Sequence, residues 1–102
     1  MGKNKIINSL GRVIGNVAVH KFLFEHTNKP ESKNHLEHEI IEYSLNAFEK
    51  SHEFNWNEQD KLKIRERAEE RAKNLSKNYG DVEFNEKEIK KLITEIMDDL
   101  LL

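Results

Sequence analysis

Apolar residues recur along this chain with the spacing of helices rather than that of strands. In the first segment Ile6, Leu10, Val13 and Val17 follow one another at intervals of three or four positions. Positions with this spacing lie on one face of an α-helix, which has about 3.6 residues per turn. The same periodicity returns in three later segments. The sequence therefore predicts an all-α fold, a four-helix single domain with helices at about 4–27, 32–51, 58–79 and 86–101.

Capping residues support the boundaries of these helices. Pro30 disfavours helical geometry at the residue before it, so it separates the first two helices. Asn57 and Asn85 precede the last two helices, and asparagine side chains at such positions accept hydrogen bonds from the first turn. Acidic residues follow both asparagines, where they suit the positive end of the helix dipole. Gly80 marks the expected end of the third helix.

Two features leave alternatives open. The segment VAVHKFLF, residues 17–24, is rich in residues that favour strands, although it continues a helical pattern and we expect a helix. The segments 54–56 and 82–84 each place apolar residues on either side of a polar one, just before a new helix. They could pair as a minimal two-stranded bridge, or they are simply hydrophobic entries to the helices.

Composition restricts the classes of function. The 102-residue chain has no cysteine, which excludes disulfides, thiolate metal ligands and a cysteine nucleophile. Polar residues interrupt the apolar stretch at 6–24, so no transmembrane segment is predicted and membrane contact is disfavoured. The same interruptions disfavour a signal-peptide core, so we expect a cytoplasmic protein. The lack of cysteine fits a reducing compartment.

Charge alternates along the chain. The formal net charge is −2, which does not favour nucleic acid as a partner of the molecule as a whole. Residues 1–30 and 55–80 are net positive, whereas residues 31–54 and 81–102 are net negative. The simplest interpretation is that neighbouring segments complement each other within the fold.

The third helix carries a row of basic and amide side chains at helical spacing. Its members are Lys63, Arg67, Arg71, Asn74 and Asn78. The row lies beside the predicted buried face, so we expect it in solvent, where it could contact phosphates. Glu66, Glu69 and Glu70 share this helix, and mixed charge is more typical of a solvated face with internal ion pairs.

Small and aromatic residues on the first helix form a second candidate surface. They are Gly11, Gly15, Ala18 and Phe22. Glycine allows another backbone to approach closely. After Val17 this helix is apolar on nearly all sides and must be covered on several of them. We favour a central position within the domain, with a self-association seam between two copies as the alternative.

The second helix offers the residues that come nearest to a metal site. His35, His38, Glu39 and Glu42 lie within two turns, and Glu49 and His52 are three positions apart, which are spacings compatible with metal ligands. Four of these six residues lie on one side of the predicted helix, namely His35, His38, Glu42 and Glu49. They project away from the predicted buried face of this helix, so a bundle-type metal centre is disfavoured and we predict no metal or other cofactor. That buried face is predicted to comprise Leu36, Ile40, Tyr43, Ala47 and Phe48.

No catalytic motif supports an enzyme. The chain contains no phosphate loop, no dinucleotide-binding glycine pattern and no nucleophile elbow. We therefore expect a non-catalytic, small intracellular interaction module that binds a protein partner or a second copy of itself. The alternative is a nucleic-acid-binding protein that contacts phosphates through Lys63, Arg67 and Arg71.

Overall fold

The computed structural model describes residues 2–27, 29–80 and 82–102, and within them the chain forms four helices. These are α1 (Lys3–His26), α2 (Pro30–Ser51), α3 (Glu58–Ser76) and α4 (Glu86–Asp99). The predicted all-α, four-helix fold is confirmed. Residues 17–24 are helical throughout, because the apolar pattern that continues through them serves a helix buried on several sides.

The core is built around α1, against which each of the other three helices packs. A helix that is apolar on several sides must be covered on those sides, and α1 has the central position that was expected for it. Helix α1 contributes nine of the nineteen buried apolar residues of the described core, and burial of apolar side chains stabilises the folded state. The buried residues of α1 are Ile7, Leu10, Gly11, Val13, Ile14, Gly15, Val17, Ala18, Val19, Phe22 and Leu23.

Ion pairs at the ends of α1 show how the helices are oriented. The Lys3 Nζ atom lies 2.6 Å from Asp60 Oδ2, so α1 and α3 begin side by side and run in the same direction. The His26 Nε2 atom lies 2.6 Å from Glu88 Oε2, which brings the start of α4 to the end of α1. Helix α4 therefore runs back along α1 in the opposite direction.

Helices α1 and α3 approach each other closely at two glycines. A Cβ atom on Gly15 would lie 2.7 Å from the carbonyl oxygen of Ala68, and one on Gly11 would lie 2.5 Å from Arg67 Cβ. Both distances are shorter than non-bonded contacts allow. The missing side chains of these two residues therefore set the spacing between the helices.

The predicted N-caps are present in the structure. The Asn57 side chain accepts a hydrogen bond from the Asp60 N–H (2.8 Å), and Asp60 accepts one from the Asn57 N–H (3.1 Å), which completes a capping box. Asn85 caps α4 by accepting from the Glu88 N–H at 3.1 Å. Helix α3 ends at Ser76, earlier than expected, and turn residues follow it.

The two-stranded bridge is not formed, since neither 54–56 nor 82–84 is in a strand in the described part of the chain. The reason is that these segments lie at opposite ends of α1. Trp56 has its ring 5.6 Å from Lys3 Nζ, whereas Phe84 stacks on Phe22 with ring centroids 4.8 Å apart. Lys3 and Phe22 are separated by about 28 Å along the helix. Both segments act as hydrophobic helix entries, which was the alternative interpretation.

Helix α2 is the least enclosed element. Among the described helices it packs on α1 alone, and its buried residues are Leu36, Ala47 and Ser51. In the same described residues, no helix combines the length and the hydropathy needed to cross a bilayer.

Candidate interaction surfaces

The predicted row on α3 does not lie in solvent along its whole length. Arg71 Nε donates a hydrogen bond to Asn16 Oδ1 of α1 at 2.9 Å. Arg67 packs its aliphatic stem over Gly11 and pairs with Glu70, with 2.8 Å between Nη1 and Oε1. The expectation that this row faces solvent therefore holds only in part for its two arginines, which are half-buried, because the glycines of α1 let this face of α3 approach α1 closely.

The other members of the row remain at the surface. Lys63, Asn74 and Asn78 are exposed. Lys63 lines an open groove that follows the contact between α1 and α3, whereas the two asparagines lie outside the residues that line it. The structure thus brings Lys63 and Arg67 together at one site and leaves the rest of the row out of it.

We call this feature the seam groove. It consists of two adjoining cavities of about 670 and 420 Å³ that share Asn8, Arg67 and Glu70. Four basic side chains and two carboxylates line it. Its full lining is Asn4, Lys5, Ile7, Asn8, Ser9, Arg12, Lys63, Glu66, Arg67 and Glu70.

The contribution of α1 to this groove is not visible in the sequence. Lys5 and Arg12 are separated from Lys63 by more than fifty positions, and no local pattern connects them. The basic start of the chain and the basic third helix were both visible as net positive segments. Only the parallel packing of α1 and α3 places the two sets of charges along one groove.

The proposed self-association seam is internal. Ala18 and Phe22 are 0% and 1% exposed, and Gly11 and Gly15 are buried against α3. Phe84 stacks on Phe22 from the start of α4. A second copy of the chain cannot reach these residues in the folded protein, so the seam joins elements of one chain rather than two copies.

An apolar row lies instead on the side of α2 that faces away from α1. Ile41, Leu45 and Phe48 are 53%, 60% and 54% exposed. They are spaced by four and three positions, so they form one ridge along the helix. The prediction that Phe48 faces inward is wrong: α1 covers the side of α2 that carries Leu36 and Ala47, and Phe48 lies beyond it.

Carboxylates border this ridge. Glu37, Glu42 and Glu49 are exposed and lie within about a quarter turn of the apolar row on the helical wheel. We call the three apolar residues and these three glutamates the outer face of α2. From residue 34 to residue 49 the helix contains no lysine or arginine.

The carboxylates of α2 affect the pKa of Tyr43, which lies on the inner side of this helix. The pKa of Tyr43 is raised above its usual value, first by burial and then by the negative charges of Glu39 and Glu42. Its ring lies 5.5 Å from that of His20, between α1 and α2. The uncharged tyrosine is thus favoured in the folded protein.

A further cluster joins the end of α1 to the start of α4. One ligand-type atom from each of Glu25, His26 and Glu88 lies within 4.8 Å of the others. No sequence pattern predicts this cluster, because His26 and Glu88 are 62 positions apart in the chain. The candidate ligands that the sequence offers, His35 and His38, lie elsewhere on α2. The hydrogen bond of 2.6 Å between His26 and Glu88 already gives two of these groups a structural role.

Comparisons with protein-family models, with curated proteins and with solved structures find no match for this chain. Its function is therefore argued from its own surfaces.

Proposed function

We propose that this protein is an interaction module that binds a basic amphipathic helix of a partner protein on the outer face of α2. The observation that carries the proposal is the exposed ridge of Ile41, Leu45 and Phe48. Each of these side chains has more than half of its surface in solvent. Single exposed apolar residues are common, but a contiguous apolar row bordered by charges marks an interaction site in many soluble proteins.

The shape of the ridge suits a helical partner. Residues at i, i+4 and i+7 form the type of row that packs into the grooves of a second helix. Because α2 packs on α1 alone among the described helices, the side that carries the ridge is open along its length. A helix laid against it would place its own apolar residues at the same spacing.

The charge around the ridge defines the chemistry of the partner. Glu37, Glu42 and Glu49 border it, and no lysine or arginine lies between residues 34 and 49. Lysine or arginine residues flanking the apolar face of the partner would complement these carboxylates. Such complementarity raises the association rate and disfavours acidic partners.

A second copy of the chain is a poorer occupant of this face. A two-fold dimer through the outer face would bring the same surface of both copies together. It would set the glutamates of one copy near those of the other, with no lysine or arginine from residues 34–49 between them. Self-association through α2 is therefore an alternative that the experiment must separate from partner binding.

The test uses two synthetic helical peptides of about 15 residues, long enough to cover about 22 Å of α2. One has leucines at helical spacing flanked by lysines, and the other has glutamates in place of the lysines. We expect calorimetry to show binding of the lysine peptide and none of the glutamate peptide. The variant Ile41→Ser/Leu45→Ser/Phe48→Ser should weaken binding about tenfold or more, since it removes the apolar contact.

A matched control is the variant Leu62→Ser/Leu101→Ser, which removes exposed apolar side chains elsewhere (55% and 87% exposed). It should bind the lysine peptide as the wild type does. Equal binding of both peptides, or full binding by the triple serine variant, would contradict the proposal. Light scattering tests self-association. If the measured mass rises with protein concentration, and the triple serine variant abolishes that rise, the outer face of α2 binds a second copy of the chain instead of a partner helix.

A further inference from the structure

We propose that the seam groove is a second binding site, which takes the phosphodiester backbone of a nucleic acid without regard to base sequence. The site lies between α1 and α3 and shares no residue with the outer face of α2. It therefore does not depend on the function proposed above. Its basis is the set of basic side chains that two parallel helices bring to one open groove.

Two of these basic side chains, Arg12 and Lys63, make no ion pair or hydrogen bond within the protein among the described residues, although Lys63 is near enough to Asp60 to lower the pKa of that carboxyl group. Both are exposed and line the groove, one from each helix. Phosphate oxygens are the acceptors that such cations bind in nucleic acids.

Neutral donors complete the site. The amides of Asn4 and Asn8 and the hydroxyl of Ser9 line the groove beside the cations. Side chains of these types commonly donate hydrogen bonds to phosphate oxygens. Among the described residues that line the groove none is aromatic, so the groove offers no ring on which a base could stack. The contacts available are therefore with the backbone and not with the bases.

The arrangement of the charges favours a row of phosphates over a single one. Lys5 and Arg12 are about 10 Å apart along α1, and Lys63 and Arg67 are about 6 Å apart along α3. These charges extend along two helices rather than converging on one point. A lipid surface is disfavoured because Ile7, the single apolar residue among the described residues that line the groove, is buried.

Two carboxylates limit the affinity. Glu66 and Glu70 line the same groove, and Glu70 pairs with Arg67. Replacing both by glutamine removes two negative charges and frees the Arg67 guanidinium. We therefore expect Glu66→Gln/Glu70→Gln to bind nucleic acid about tenfold or more tightly than the wild type at low salt.

The experiment is fluorescence anisotropy of a labelled duplex DNA of about 20 base pairs, and of a single-stranded RNA of about 20 nucleotides, from about 20 to 200 mM salt. We expect binding that weakens with salt, with a log–log slope of about −3 to −4 on duplex DNA. The variant Arg12→Gln/Lys63→Gln should reduce the slope by about two. Both residues are exposed, so the fold is retained. Replacing Arg67 or Arg71 would disturb the packing against α1 as well.

The matched control is Lys87→Gln/Lys91→Gln, which removes the same charge from exposed positions of α4. It should bind as the wild type does. Absence of binding at the lowest salt, or an equal loss in both double variants, would overturn the proposal. So would binding to phosphatidylserine vesicles, or inhibition by millimolar inorganic phosphate, without binding to either nucleic acid. The serine variant of the outer face of α2 should bind nucleic acid unchanged, so the two proposals fail separately.

Discussion

Two glycines allow the close contact between α1 and α3. At Gly11 and Gly15 the backbone of α1 meets α3 at distances that leave no space for a methyl group. Glycine in a helix interior costs up to about 1 kcal/mol relative to alanine. The close approach recovers this cost by burying Ile64 and Ala68 completely against α1. Gly11 and Gly15 therefore stabilise the packing of α1 against α3 because they have no side chain.

We predict that Gly15→Ala destabilises the protein despite the better helix propensity of alanine. The new Cβ would lie 2.7 Å from the backbone carbonyl oxygen of Ala68, which cannot rotate away as a side chain can. The expected loss in the free energy of unfolding is about 1–3 kcal/mol. Urea denaturation measures it. Gly80→Ala, where the added atom meets nothing within 4 Å, is the control and should change stability by less than about 0.5 kcal/mol.

One carboxylate links the starts of α1 and α3. The pKa of Asp60 is held below its ordinary value of 3.8, first by the hydrogen bond from Lys3 and then by the backbone N–H of Asn57. In the unfolded chain the carboxyl group returns to its ordinary value. The ionised form therefore favours the folded state, and this contribution is present above about pH 4 and disappears as the pH falls through the lowered pKa.

The corresponding prediction concerns the variant Asp60→Asn. It should be less stable than the wild type at neutral pH, because it loses the contact with Lys3 and one half of the capping box. The gap in the free energy of unfolding should stay constant from about pH 7 to 5 and narrow below about pH 4. Denaturant titrations at several pH values measure the gap. A gap that is the same at pH 3 and pH 7 would show that the pairing does not stabilise the fold.

At the scale of the helices, burial is divided unequally. Helix α4 is shorter than α2, yet it buries five residues and packs on both α1 and α3. Helix α2 has 22 residues and buries three, with α1 as its one neighbour among the described helices. Length therefore does not predict how firmly each helix is held. The same inequality leaves the outer face of α2 available for a partner.

We predict that the backbone amides of α2 exchange with solvent faster than those of α4. Local opening requires less free energy where fewer buried contacts must break. Hydrogen exchange followed by mass spectrometry at neutral pH compares the two helices in one experiment. Slower exchange in α2 than in α4 would contradict this. Addition of the lysine peptide should slow exchange in α2 and leave α4 unchanged, if the outer face binds as proposed.

At the scale of the whole molecule, the net charge of −2 conceals two surfaces of opposite character. The outer face of α2 is apolar and acidic, whereas the seam groove is polar and carries four basic side chains. The alternation of charge along the chain is the origin of both. Its simplest interpretation is complementarity within the fold, which accounts for Lys3 with Asp60 and in part for Lys63, whose charge also lowers the pKa of Asp60, but not for Arg12.

The sequence by itself determined the number of helices and most of their boundaries. Apolar periodicity and N-caps such as Asn57 involve residues within one or two helical turns of each other, so both can be recognised from neighbouring positions in the sequence. Lys63 and Arg67 could also be identified as candidate phosphate contacts from the sequence, because they are four positions apart on one helix.

The tertiary structure alone decided which faces are covered and which residues meet. Phe48 and Leu36 fit one apolar pattern, but α1 covers only the side that carries Leu36. Segments 54–56 and 82–84 look alike in sequence, yet they lie at opposite ends of α1 and cannot pair. Arg12 joins Lys63 because two distant helices run parallel. Burial and cross-helix contact depend on the packing of whole helices, for which a local pattern of residues carries no signal.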